Sequence, residues 1–444
     1  MSKRLLFAAF LAASPALAQD VRLTPEQTMG LAAQLMRGGE PAKARVLAEV
    51  LLERDETDVP ALILAAEASI ATGDMEAGRS YAQSAWALAD VDAARFASAR
   101  LTALAHAQND QFTRSQFWLR RARHFAPDEN TSASVAEDYR YVRRMNPFQF
   151  RLDFSVAPTD NLNNGTTNET ISLAGLPIEI VLSPDSQPLS GTEFTASGRF
   201  SWRLHETPTS LTRFELSGVT RQYRLSSEAK DLAPDAKAGD FSEMQLSLGL
   251  THLWNPNRTP EPWRFALSKG RFFYGGDPYS DFARVSVARG VRLGDADRLD
   301  ATLTGETTTG LSTADSDAVN IDLRWTHAFD DLGNLQLGLT GRSVTSEVLD
   351  HQYEAVGGQI GWTFADSGVG VSYSYEEREY TSSIYVAGAR TDRRRTLRLS
   401  APIPGVEMYG FQPVINAEHV EQNSNAARYE TSSTGAGITF RSAF

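Results

Sequence analysis

The sequence predicts a two-domain protein, an all-α helical repeat domain followed by a 14-stranded antiparallel transmembrane β-barrel. Three observations predict it. The hydrophobic period changes from about 3.6 residues to 2 near Asn146-Pro147. Ahead of that point a glycine-containing turn recurs after 34 residues, from Gly39 to Gly73. Beyond it, fourteen segments alternate apolar and polar residues.

The chain opens MSKRLLFAAFLAASPALAQD. Lys3 and Arg4 make a positive start, Leu5 to Ala13 an apolar run, and Ala16-Leu17-Ala18 a small-residue cleavage site. The pattern predicts a signal peptide over 1–18, cut between Ala18 and Gln19, and export of the rest. No later segment is apolar for long enough to cross a membrane as a helix, so any crossing is by strands. The 444 residues carry 43 Lys+Arg against 55 Asp+Glu, a net charge of −12, which argues against nucleic acid as a partner. Cysteine is absent, which excludes disulfides, thiolate metal sites, Cys nucleophiles and lipid attachment at an N-terminal Cys.

Residues 19–146 read as the helical domain, placed in the periplasm. Gly38-Gly39-Glu40-Pro41 recurs loosely as Thr72-Gly73-Asp74-Met75, at the period of a tetratricopeptide array. A third copy around Ala107–Phe112 carries Asn109 where glycine is expected. Each unit is a helix, a tight turn and a second helix: Val59–Thr72 with Glu76–Ala89, and Ala93–Gln108 with Thr113–Phe125. Ala65, Ala66, Ala82 and Ala85 would allow close helix approach, with Trp86, Phe96, Phe117 and Trp118 filling gaps. The array reads as a short solenoid holding a peptide or protein, with a plain helical bundle as the alternative.

Residues 147–444 read as the barrel, in the cell outer membrane. The strands fall at roughly 148–158, 192–204, 211–223, 242–254, 262–274, 280–292, 297–307, 317–328, 333–345, 353–364, 368–379, 386–400, 406–419 and 430–444. Phe148, Phe150, Leu152, Phe154 and Val156 share one face of the first, and Gln149, Arg151, Asp153 and Ser155 the other. Full charges on the polar faces fit a water-filled lumen better than a dry sandwich core. The candidate lumen charges are Arg199, Arg203, Asp322, Arg324, Arg394 and Arg398. Trp202, Trp254, Trp263, Trp325, Trp362 and Tyr409 would form an aromatic girdle at the lipid headgroups. Two long links (159–191, 224–241) fall where external loops are expected and the even-to-odd links are short, as periplasmic turns should be, with short links between the fifth and sixth and the ninth and tenth strands breaking the alternation. The last strand, with Ile438, Phe440 and the terminal Phe444, suits recognition by barrel assembly machinery. By parity Arg393 and Arg395 face outward near the external rim, where they meet lipid and glycolipid phosphates or pair structurally.

No cofactor or metal site is expected. The seven histidines are scattered, and no H-E-x-x-H, P-loop or G-x-S-x-G occurs, so the chain does not read as an enzyme. His252 reads as a girdle residue rather than as a catalytic base.

The order of signal peptide, short tetratricopeptide-like domain and fourteen-strand barrel ending in Phe444 resembles the Slam family, the surface lipoprotein assembly modulators. The first strand runs into Asp160-Asn161-Leu162-Asn163, similar to the Asn-rich segment at which that family's barrel leaves its first strand. The resemblance implies a helper that moves a client surface lipoprotein or related secreted protein from the periplasm to the cell surface. The helical domain would capture the client and pass it to the barrel lumen or to a seam between first and last strands. A passive outer-membrane channel or receptor, or a polysaccharide export barrel with an accessory helical domain, is the alternative.

Overall fold

The computed structural model describes residues 22–406 and 410–442. Ala18, Gln19, Tyr409 and Phe444 lie outside the described residues. The chain forms two compact units, one ending at Asp138 and the other beginning at Tyr139.

Among the described residues seven helices come first: α1 (Pro25–Arg37), α2 (Pro41–Arg54), α3 (Val59–Ala71), α4 (Met75–Leu88), α5 (Asp92–Gln108), α6 (Phe112–His124) and α7 (Glu129–Met145). Thr24 starts α1 with a reciprocal capping box to Gln27, and the Asp58 and Asp74 carboxylates accept from the backbone N–H three residues on to start α3 and α4. The turns after α1, α3 and α5 close alike. Glu40 N donates to Leu35 O, Asp74 N to Ser69 O and Gln111 N to His106 O, each at 2.9 Å. That bond satisfies a carbonyl the helix end would strand, and it requires a left-handed residue just before the donor. Gly39 (φ 77°) and Gly73 (φ 87°) supply it in the first two turns. In the third the residue is Asp110 (φ 56°), not Asn109 as the sequence suggested, because Asn109 still lies in the last turn's own conformation at φ −99°. Asp tolerates the left-handed region better than most residues, so the third turn forms without glycine.

Small residues carry the packing. Ala32, Ala44, Ala48, Ala65 and Ala68 are fully buried around Leu64. Ala66, Ala82 and Ala85 are buried as well. Against Gly78 the chain comes so close that an added Cβ would sit 2.5 Å from Ile70 Cγ1. Trp86 of α4 meets Trp118 of α6 edge-on at 5.3 Å and Phe125 at 5.5 Å. Arg121 lies 3.6 Å over the Phe117 ring.

The barrel strands are β1 (Phe148–Thr159), β4 (Gly191–Thr207), β5 (Ser210–Leu225), β6 (Glu243–Trp254), β7 (Trp263–Tyr274), β8 (Asp277–Arg292), β9 (Asp297–Gly310), β10 (Ser316–Phe329), β11 (Gly333–Ser346), β12 (Tyr353–Phe364), β13 (Gly370–Tyr380), β14 (Arg390–Pro402), β15 (Phe411–Ser424) and β16 (Thr431–Ser442). Each pairs antiparallel with the next, and β16 pairs with β1, so the sheet closes and leaves no edge. The link between β1 and β4 holds a small hairpin, β2 (Thr170–Ser172) and β3 (Glu179–Val181). The link from β5 to β6 holds a short helix, α8 (Ser227–Leu232). Both long links lie at one end of the barrel. The same end carries the two-residue β7–β8 turn, where Gly275 (φ 61°) and Gly276 (φ 90°) meet the demand for two left-handed residues.

The thirteenth barrel strand, β15, starts at Phe411 rather than at 406, and β14 starts at Arg390 rather than at 386. Gly388 (φ 97°) and Gly410 (φ 86°), which precede the two strands, have left-handed backbone that a strand does not adopt.

Parity runs true around the sheet. Leu248, Leu267, Val319, Leu339 and Ile360 all point outward and are half exposed or more. Trp202, Trp254, Trp263, Trp325 and Trp362 sit on strands at the end opposite the long links. There Phe148 lies 6.0 Å from Trp202, and Phe329 lies 5.3 Å from Trp362.

Candidate functional site

The chemistry of the barrel lies in its lumen and in the segment that follows β1, at the end that carries the long links. Beneath the link that follows β1 is a chamber of about 500 Å³. Arg221 and Glu243 line one wall, Arg394, Arg398 and Glu418 another, and Asn161 lies among the lining residues. Arg221 pairs with Glu243 at 2.7 Å, and Arg398 pairs with Glu418.

Asp160, Asn161 and Asn163 are structural ties. Asp160 Oδ1 accepts from Thr434 N of β16 at 2.6 Å. The Asn161 amide donates to Gly165 O and to Ser432 O, each at 2.9 Å, while its oxygen accepts from Gly165 N at 2.7 Å. Asn163 donates to Asp185 O and Gln187 O at 2.8 Å and accepts from Leu189 N at 2.9 Å. Gly165 is forced here, because a Cβ would lie 2.2 Å from Gln187 O. One asparagine thus holds the link to β16 and the other holds the link to itself. Leu162, Leu189, Leu225 and Ala229 bury a small apolar cluster beneath it. Thr166 and Asn168 extend the attachment to Ala427 O.

The six candidate lumen charges divide. Arg199 lines a second chamber with Arg151, Asp153 and Arg284. Asp322 and Arg324 share the lumenal face of β10, Arg324 opposite Asp300 in register. Arg394 and Arg398 line the first chamber. Arg203 is different. It stands beside the register shift between Arg203 and His205, and its guanidinium donates to Arg144 O (3.0 Å) and Met145 O (2.9 Å) and pairs with Glu206 at 2.6 Å. It caps the last turn of α7, where a cation opposes the carbonyl end of the helix dipole, and it is spent there rather than on a lumenal wall.

On the outer face Arg393 pairs with Glu377 at 3.1 Å and Arg395 with Glu421 at 3.4 Å, so both have carboxylate partners within the barrel. Ile438 and Phe440 of β16 face outward and stand opposite Val156 and Phe154 of β1. His252 lies opposite Thr212 and meets its hydroxyl at 2.9 Å. Among the described residues no group of three metal-ligating side chains converges.

The sequence reading did not single out Arg390. It is 4% exposed, 3.3 Å from Asp392, and sandwiched by the rings of Tyr380 at 3.4 Å and Tyr429 at 3.6 Å. Its signal was the first member of the Arg390-Thr391-Asp392 triplet, where alternation sends both charges to one face.

No family model matches the chain, and no curated protein matches it in sequence. Solved structures do. The crystal structure of Acinetobacter baumannii OccAB4 matches at 8% identity and a TM-score of 0.35, over 67% of this chain and 98% of that one. The KdgM porin matches at 15% identity and a TM-score of 0.27, over 45% of this chain and 92% of that one. The Yersinia enterocolitica type III secretion translocator chaperone SycD matches at 15% identity and a TM-score of 0.25, over 27% of this chain and 83% of that one. Each is a likeness of fold alone.

Proposed function

We propose that this chain is an outer-membrane protein that passes a lipoprotein or related secreted protein from the periplasm to the cell surface. The helical repeats would hold the client in the periplasm, and the barrel would provide its route. The outward band of Leu, Val and Ile is a solvent mismatch in water and a match in lipid. The ring of tryptophans at one end suits a headgroup layer.

One observation carries the transport reading. Among the described residues β1 and β16 pair at four positions, whereas every other junction of the barrel pairs at eleven or more. Pro158 lies within the gap in that pairing and brings no N–H to the ladder. A junction with few backbone bonds is the place where a closed sheet opens at least cost, because each broken bond strands a polar group in lipid.

The test co-expresses the chain with each exported lipoprotein encoded nearby and scores protease accessibility on intact cells. Surface exposure of one lipoprotein that depends on this chain supports the reading. Ser155→Cys with Thr439→Cys, facing partners across the seam, then locks it. Display that stops on oxidation and returns on reduction supports passage through the seam; undiminished display removes it.

A passive channel or polysaccharide conduit is the second reading, favoured by the charged lumenal chambers. It requires conductance in planar bilayers with no client present.

A further inference from the structure

The chain as a whole is acidic, yet one lumenal wall is basic. On β11 to β15 the lumenal positions carry Arg342, Arg378, Arg390, Arg394 and Arg398 against Glu376, Asp392 and Glu418. Each carboxylate is already engaged: Glu376 by Arg378, Asp392 by Arg390, Glu418 by Arg398. Two cations remain. Arg342 rests 5.8 Å from the centre of the Tyr353 ring, which Arg378 approaches from 5.6 Å. Arg394 has no hydrogen bond, ion pair or ring contact among the described residues. Its cross-strand neighbours are Glu376, held by Arg378, and Gln422, which donates to Tyr429 O at 3.0 Å.

We propose that Arg394, assisted by Arg398, binds an oxyanion group, carboxylate or phosphate, of a solute in the first chamber. A guanidinium offers five N–H donors in a planar fork matched to two oxygens. Here the donors are half-buried, next to other cations, and open to a chamber of about 500 Å³. An unpaired charge partly removed from water is costly, and an anion is the partner the wall lacks. The pairs around it fix the geometry, since Arg378 and Arg398 are held in place by their own carboxylates and leave Arg394 as the open position. The proposal rests on the lumen alone and stands apart from the protein-transport reading.

The test is calorimetric titration of the folded full-length protein in detergent at low salt, with citrate in one arm and inorganic phosphate in the other. Saturable 1:1 binding is expected in at least one arm, and the arms distinguish a carboxylate site from a phosphate site. Arg394→Gln should weaken it about tenfold or more, the loss of one charge-assisted contact. Glu418→Gln, which releases Arg398, should tighten it. Arg393→Gln, on the outer face of the same strand, should leave it unchanged. All variants are checked for the heat-modifiable gel shift of a closed barrel. Absence of binding to both anions by the wild type overturns the proposal. So does equal loss in the Arg393 and Arg394 variants, or weaker binding in Glu418→Gln.

Discussion

Asn161→Ala tests whether the segment after β1 holds the seam. The side chain is 5% exposed and makes three hydrogen bonds, to Gly165 O, Gly165 N and Ser432 O. At about 1 kcal/mol net for each, truncation costs the local structure about 3 kcal/mol. Tenfold in an equilibrium corresponds to about 1.4 kcal/mol, so local opening should rise by roughly two orders of magnitude. Hydrogen exchange read by mass spectrometry on the folded barrel is the assay. Faster exchange is expected in two places, the 160–168 stretch and the β16 amides around Thr434, because Asn161 joins them. Asn163→Ala is the matched control. It also loses three hydrogen bonds, but all run to Asp185, Gln187 and Leu189 within the link. It should loosen 185–190 and leave β16 protected. If the two variants give the same map, or if β16 keeps its protection in Asn161→Ala, the seam-holding role is wrong.

Three further predictions concern the helical unit, read on the full chain by thermal melting at 222 nm. Asp110→Gly should stabilise it by about 0.5–1 kcal/mol, because glycine occupies the left-handed region without a Cβ penalty; Gly73→Ala, at φ 87°, should cost about 1 kcal/mol. Gly78→Ala should destabilise by about 1–3 kcal/mol as its Cβ meets Ile70 Cγ1, and Ile70→Ala, which removes that atom, should cost less in the Gly78→Ala background than alone. His106 is 3% exposed; burial pushes its pKa below the ordinary value near 6.5, against a hydrogen bond with Gln111 and with help from Arg79 and Arg114. Its neutral form is favoured by folding, so stability is fully present above about pH 6.5 and declines as the pH falls toward the folded pKa. Melting at pH 7 and pH 5 should show that decline, and His106→Gln should flatten it.

What the sequence made legible follows from how locally each feature is encoded. A barrel strand announces itself through alternation, which is a property of consecutive residues, so Phe148 to Val156 and Val319 to Trp325 could be assigned to strands and faces without knowing their neighbours. Helix ends are encoded almost as locally, through Gly39 and Gly73. The errors fell where one local signal overrode another. Asn109 looked like the left-handed residue because its side chain suits that role, but the hydrogen bond from Gln111 N to His106 O selects the position, and that position is Asp110. The start of β15 was misplaced because apolar Val406 and Met408 continue the alternation in the sequence, while Gly410, with φ 86°, stands immediately ahead of the strand at Phe411.

Partnership is not local, and the candidate site consists of partnerships. Arg203 and Arg394 look alike in sequence, each a basic residue on the polar face of a strand. Arg203 is consumed by the carbonyl end of α7, whose last residue precedes β1 in the chain but lies 58 residues from Arg203 in sequence. Arg394 is left open because the carboxylate opposite it, Glu376, is taken by Arg378 of its own strand. The same holds for Asp160 and Asn161: the motif marks where the chain leaves the first strand, but its work is done on Ser432 and Thr434 at the far end of the barrel sequence. A closed sheet must join its first strand to its last, and the residues that make that join are separated by almost the whole domain. Alternation therefore predicts that the barrel closes, and only the register of β1 against β16 shows that, among the described residues, it closes with four pairs.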